Sequence, residues 1–64
     1  MGGSAKLIPR EAADYTRLSV SMLAKLRVSG GGPEYIKLGR KVIYERDTLD
    51  AWLASRVRRN TSEI

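Results

Sequence analysis

Sixty-four residues, 42% of them apolar, make one small domain, able to bury only roughly 60% of its unfolded surface and with little room for an enclosed active site. Cys and His are both absent, which removes disulfides, thiolate chemistry and the usual transition-metal ligands, so neither a metal nor another cofactor is expected. Twelve Lys and Arg face seven Asp and Glu for a formal charge of +5, and the apolar runs are far shorter than the roughly 20 residues that span a bilayer, so a soluble, unsecreted chain is expected.

The charge is unevenly placed. Up to Tyr44 there are eight basic and three acidic residues, whereas from Glu45 onward there are four of each. An excess of this kind favours an anionic partner, of which nucleic acid is the commonest for a compact domain, although a basic surface kept for solubility has the same composition.

Met1-Gly2-Gly3-Ser4 reads as a flexible leader. Residues 1–5 are therefore set outside the fold, with one domain over 6–59 and a flexible tail over 60–64. Pro9 followed by Arg10-Glu11-Ala12-Ala13-Asp14-Tyr15 predicts a helix entered at its first turn, because proline there loses no needed donor and alanine has high helix propensity. Ala12 and Ala13 are small enough for another helix to approach closely.

Ser19 can offer its hydroxyl to the orphan N–H groups of a second helix, predicted from Val20 to about Ser29 and stopped by Gly30-Gly31-Gly32-Pro33. On a helical wheel Leu23 and Leu26 define the buried side, and Ser21, Ala24, Lys25 and Val28 lie opposite. That outer face is short, mostly small and centred on one cation, which suits a major groove roughly 12 Å wide. An ordinary helical hairpin with a solvated face has the same pattern.

Tyr35 to Tyr44 is rich in β-branched and aromatic residues around Gly39, the signature of two strands and a turn. A two-residue loop Gly39-Arg40 would put Leu38 opposite Lys41. A three-residue loop Gly39-Arg40-Lys41 pairs Leu38 with Val42 and Ile36 with Tyr44, gathers four apolar side chains, and is the preferred register. It leaves Arg40 and Lys41 at a basic tip, exposes Ile43, and makes the hairpin a candidate wing over phosphates or the minor groove. A charged tip that is merely solvated remains the plain alternative.

A third helix is predicted from near Asp47, whose carboxylate suits a helix N-terminus, to about Arg59. Leu49, Trp52, Leu53 and Val57 form its buried stripe, with Trp52 expected as the centrepiece of the core. The expected core is Leu23, Leu26, Leu38, Val42, Tyr44, Leu49, Trp52 and Leu53. Arg56, Arg58 and Arg59 complement the helix C-terminus or reach phosphates. Ser19, Ser21, Ser29 and Ser55 have no histidine base and the acids are scattered, so no catalytic residue is expected.

Taken in order, Glu11-Ala12-Ala13-x-Tyr15, Leu18-Ser19-x-Ser21-x-Leu23, Gly-x-x-Pro ending at Pro33, Ile36-Lys37-Leu38-Gly39-Arg40 and Asp47-x-Leu49-x-Ala51-Trp52-Leu53 resemble the excisionase and AlpA family of MerR-like winged helix-turn-helix proteins. The likeness runs from about Leu7 to Arg58. It implies a mainly α fold with a small β-hairpin, in the order helix, helix, hairpin, helix.

The resemblance further implies sequence-specific binding of double-stranded DNA. The second helix, with Ser19, Val20, Ser21, Ala24, Lys25 and Val28, would read the major groove, and a wing carrying Lys37, Arg40 and Lys41 would meet the backbone. Arg10, Arg17 and Arg27 are further candidates for phosphate contacts. Lys25 stands where many relatives have Arg, and Arg17 replaces a glycine usual in the turn between the helices, where φ > 0 suits Arg poorly. The implied role is an excisionase, or recombination directionality factor, acting with an integrase and with copies of itself on attachment-site repeats. The alternative is an AlpA-like transcriptional regulator of a mobile element, in either case a cytoplasmic protein of bacteria or phages. A basic protein-interaction module is the remoter reading.

Overall fold

The computed structural model describes residues 4–58. Local chemistry accounts for the first two helices. The helix Pro9–Thr16 (α1) follows a short strand, Lys6–Leu7 (β1), and begins with Pro9 at its first position while the Ile8 N–H donates to the Glu11 carboxylate at 3.0 Å. It ends at Arg17, the only non-glycine residue with positive φ (66°) among the described residues. The Arg17 N–H donates to the Asp14 carbonyl (3.2 Å) and the Leu18 N–H to the Ala13 carbonyl (2.9 Å), the paired bonds of a Schellman motif. Arginine thus occupies the left-handed position expected to favour glycine.

Two residues later the Ser19 hydroxyl accepts from the Met22 N–H at 3.0 Å and opens the helix Val20–Ser29 (α2). Gly30, with φ 87°, closes it by donating to the Leu26 carbonyl. Gly32 is required for a different reason, since a Cβ there would lie 2.6 Å from Leu26 Cβ. Both helix boundaries are where the sequence places them.

The hairpin departs from expectation. Strands Ile36–Leu38 (β2) and Lys41–Glu45 (β3) pair with Ile36 opposite Ile43, Lys37 opposite Val42 and Leu38 opposite Lys41. The loop is therefore the two-residue Gly39-Arg40, with Gly39 at φ 61°, the sign that a glycine at the first position of a type II′ turn supplies. Lys41 belongs to the strand and not to the tip. Leu38, expected in the core, is 57% exposed on the outer face, and Ile43, expected to be exposed, is half-buried. Turn geometry overrode the gathering of apolar residues, because the tight loop matches strand twist and β3 finds a second partner.

That partner is β1, which the sequence did not reveal. Lys6 pairs with Glu45 and Leu7 with Tyr44, making a three-stranded antiparallel sheet in the order β1-β3-β2. An ion pair of 2.9 Å joins Lys6 to Glu45, and the Arg46 N–H donates to the Ala5 carbonyl at 2.9 Å. Ala5, placed by the sequence in a leader, thus accepts from the start of the third helix, and the Ser4 carbonyl accepts from Lys6 Nζ at 3.3 Å; leader residues 1–3 and the tail over 60–64 lie outside the described residues.

The third helix, Arg46–Ser55 (α3), ends four residues earlier than predicted. The Arg56 N–H bonds back only three residues, to the Leu53 carbonyl, and Ser55 Oγ donates to the Trp52 carbonyl at 2.6 Å. Val57 therefore leaves the buried stripe and is 68% exposed. Arg59 lies outside the described residues.

The core comprises Ala12, Ala13, Leu23, Tyr44 and Leu49, with Leu7, Leu18 and Val42 packed against it. Tyr44 is the largest of the fully buried side chains, so it takes the central place expected of Trp52. Trp52, Leu26 and Leu53 are half-buried. Trp52 instead donates its indole N–H to the Gly31 carbonyl at 3.1 Å, an acceptor it shares with Arg56 Nη2 at 2.6 Å. The alanine pair lets α2 and the sheet close on α1, and Tyr15 ties α1 to α3 by donating to the Asp50 carboxylate at 2.5 Å. Among the described residues no helix is long and apolar enough to cross a membrane.

Candidate nucleic-acid interface

Capping and packing together decide which side of α2 faces outward. Leu23 is fully buried and Leu26 half-buried against the Gly32 loop, so Ser21, Lys25 and Val28 are left exposed, Val28 at 90%. Ser19 and Val20 are exposed at the start of the helix. An exposed valine costs hydration free energy without any stabilising contact, and here it stands beside a cation and a hydroxyl on the only face of α2 that the domain does not use.

The strand register decides which cations join that face. Lys37 is opposite Val42, whose side chain packs toward the core, so Lys37 projects on the same side of the hairpin as Val42 and Tyr44. Lys41 pairs with Leu38 on the other side. A cleft of about 390 Å³ then runs between α2 and the hairpin, lined by Ala24, Arg27 and Val28 from the helix and by Tyr35, Lys37, Arg40 and Val42 from the hairpin side. Three cations and no carboxylate line it.

Arg27 is the best-fixed of these cations. It is half-buried, its Nη1 donates to the Tyr44 phenol oxygen at 2.7 Å, and its guanidinium lies 5.8 Å from the centre of the Tyr35 ring. Tyr35 and Tyr44 are themselves 6.2 Å apart, centroid to centroid, at an interplanar angle of 55°. The two-residue loop produces this grouping, because continuing its register places Tyr35 opposite Tyr44. The sequence places Tyr44 in the core and marks Tyr35 with no site role, although the two-residue register carries the signal that pairs them.

The other expected contact residues are more scattered. Arg10 is exposed on the first turn of α1 and Arg17 on the turn before α2. Lys25 is exposed on α2 but does not line the cleft, and Lys41 faces away from it. The Ser19 hydroxyl is engaged as an acceptor in the helix cap, which leaves its O–H free to donate. Arg56, a candidate phosphate ligand, is bound to the Gly31 carbonyl and lies 5.3 Å from the Trp52 ring centre.

The pattern of two short helices joined by a tight turn, the second with an unused outer face flanked by a basic hairpin, is that of a helix-turn-helix with a wing. No curated protein matches the chain at a significant level. A family model for a helix-turn-helix domain matches residues 8–57, from the residue that precedes α1 to just beyond α3, and the chain accordingly belongs to that helix-turn-helix family.

Proposed function

We propose that this protein binds double-stranded DNA sequence-specifically, with α2 in the major groove and the β2–β3 hairpin as a wing on the backbone. The observation that carries the reading is the cleft between them, where Arg27, Lys37 and Arg40 converge beside the exposed Ser21, Lys25 and Val28. Ser21 and Lys25 read base edges, while the cleft cations and Arg17 hold phosphates. No bond-making step is assigned to the chain.

Within that reading we assign the MerR-like winged form and the excisionase role, in which several copies occupy adjacent sites, bend the DNA and assist an integrase in a bacterial or phage-infected cytoplasm. Support comes from the resemblance in motif order and from size, since a single module buries only about 600–1,000 Å² on DNA and needs tandem copies for specificity.

Titrating duplex DNA at two salt concentrations tests the binding. Affinity should fall steeply with salt, and Arg40→Ala should lower the slope of log K against log[salt] by a fraction of the roughly 0.9 that one phosphate contributes. Lys25→Ala should cost about 1–3 kcal/mol on the selected site and relax preference at one base position. Equal losses on selected and random duplexes would remove Lys25 from base reading, and absence of binding at low salt would overturn the proposal. Excision assays with and without the protein then separate the roles: a protein that binds element DNA but leaves excision unchanged is an AlpA-like regulator.

A further inference from the structure

Among the cleft cations, Arg27 differs in being held from behind. Its partner is the hydroxyl of Tyr44, a residue with no solvent exposure, and the Tyr35 ring lies beside the guanidinium. A free arginine side chain loses rotamer entropy on being fixed, and here the fold has already fixed it. The bond to Tyr44 commits one of five N–H donors, and the guanidinium lines a cleft whose other cations, Lys37 and Arg40, come from the opposite wall. A tetrahedral, doubly hydrogen-bonding anion is the chemistry that a guanidinium fork between two further cations fits.

We infer that the α2–hairpin cleft is a socket for a single phosphodiester of the DNA backbone, with Arg27 as its central ligand and the buried Tyr44 hydroxyl as the positioning residue that aims it. The inference rests on the DNA-binding reading and specifies it: one phosphate at the junction of helix and wing fixes the register of α2 in the groove. Tyr44 then links the core to the interface without touching DNA. Lys37 and Arg40 close the socket from the wing side.

The test is a double-mutant cycle on the full chain with a short selected duplex, using Arg27→Ala, Tyr44→Phe and the pair, with thermal unfolding measured alongside. Tyr44→Phe keeps the buried ring and removes only the hydroxyl. Arg27→Ala should lower affinity about tenfold at fixed salt, as loss of a charged hydrogen bond does, and reduce the salt slope by the larger part of the roughly 0.9 that one phosphate contributes. Tyr44→Phe should lower affinity by a smaller factor with the unfolding transition still cooperative, and the double variant should bind no more weakly than Arg27→Ala alone, because Tyr44 acts through Arg27. A duplex with one neutral methylphosphonate linkage, walked along the site, should show its largest loss at one position, and the Arg27→Ala protein should be much less sensitive to that substitution than the unmodified protein, retaining only the share of Lys37 and Arg40.

Wild-type affinity and slope in folded Arg27→Ala or Tyr44→Phe protein would overturn the socket while leaving DNA binding intact. Additive losses would overturn the positioning role of Tyr44. Displacement of DNA by inorganic phosphate beyond its effect on ionic strength would make the cleft a site for free anions and refute the backbone assignment. Failure of the unmodified protein to bind any duplex would instead strike the parent proposal.

Discussion

Two arginine–aromatic pairs flank the loop over residues 30–35, and they put the same chemistry to opposite uses. Arg27 meets Tyr44 and Tyr35, and Arg56 meets Trp52. At the second pair, the Trp52 indole and the Arg56 guanidinium both donate to the Gly31 carbonyl, so the cation serves the fold by satisfying a loop acceptor. At the first pair the acceptor is a side-chain hydroxyl anchored in the core, and the cation opens onto the cleft. An arginine near an unpaired backbone carbonyl becomes a staple, whereas one beside a buried phenol becomes an oriented donor.

The pairs also differ in depth, which ranks their expected effects. Tyr44 is fully buried, and Tyr44→Ala should cost about 3–5 kcal/mol, comparable to the total stability of a domain this small. A lost cooperative transition in urea would register it. Trp52 is only half-buried, and Trp52→Ala should cost about 2 kcal/mol, through reduced burial and the lost bond to Gly31. A folded Tyr44→Ala protein beside an unfolded Trp52→Ala protein would reverse the comparison.

Smaller effects sharpen it from outside both pairs. Arg17→Gly removes a Cβ from a left-handed residue and should raise stability by about 1 kcal/mol, measured as the urea midpoint. If Arg17 also touches a phosphate, the more stable variant binds DNA less tightly. The smallest effect concerns Tyr15, whose hydrogen bond to Asp50, then slight desolvation and the Asp50 charge, raise its phenol above the ordinary value of 10.0. The folded state thus favours the neutral phenol. Its contribution is complete below the unfolded value and is lost as pH rises through the higher folded one. Tyr15→Phe should flatten the stability profile above about pH 10, the ordinary phenol range; an unchanged alkaline profile would show that the Tyr15–Asp50 bond carries no pH-dependent stability.

Legibility in the sequence followed the range of the interaction. Ser19, Pro9, Gly30 and the Ser21–Lys25–Val28 face are read from neighbours within a turn; α1 begins at Pro9, and α2 begins and ends where Ser19 and Gly30 say. Arg17 stands where the resemblance implies a glycine, and it adopts positive φ. The hairpin register differs from the one that apolar matching between two strands favours, because β3 also pairs with Lys6–Leu7. Size and periodicity favour Trp52 at the centre, but they do not tell which aromatic lies at the junction of the elements, and that residue is Tyr44.

The sequence by itself determined the order of the three helices and the hairpin, the caps of α2 and the unused outer face of that helix, since each depends on backbone donors and side-chain periodicity a few residues apart. Only the tertiary structure decided that Tyr44 anchors the core, that Lys37 joins the cleft while Lys41 leaves it, and that Arg27 rather than Arg56 opens onto the cleft. Those outcomes depend on strand register and on which acceptor lies within hydrogen-bond reach of each guanidinium. The hairpin register follows from its local turn together with the β1–β3 pairing, and that pairing and the guanidinium acceptors join residues 17 to 37 positions apart, as Arg27 and Tyr44, Gly31 and Arg56, and Leu7 and Tyr44 are, too far for periodicity to report.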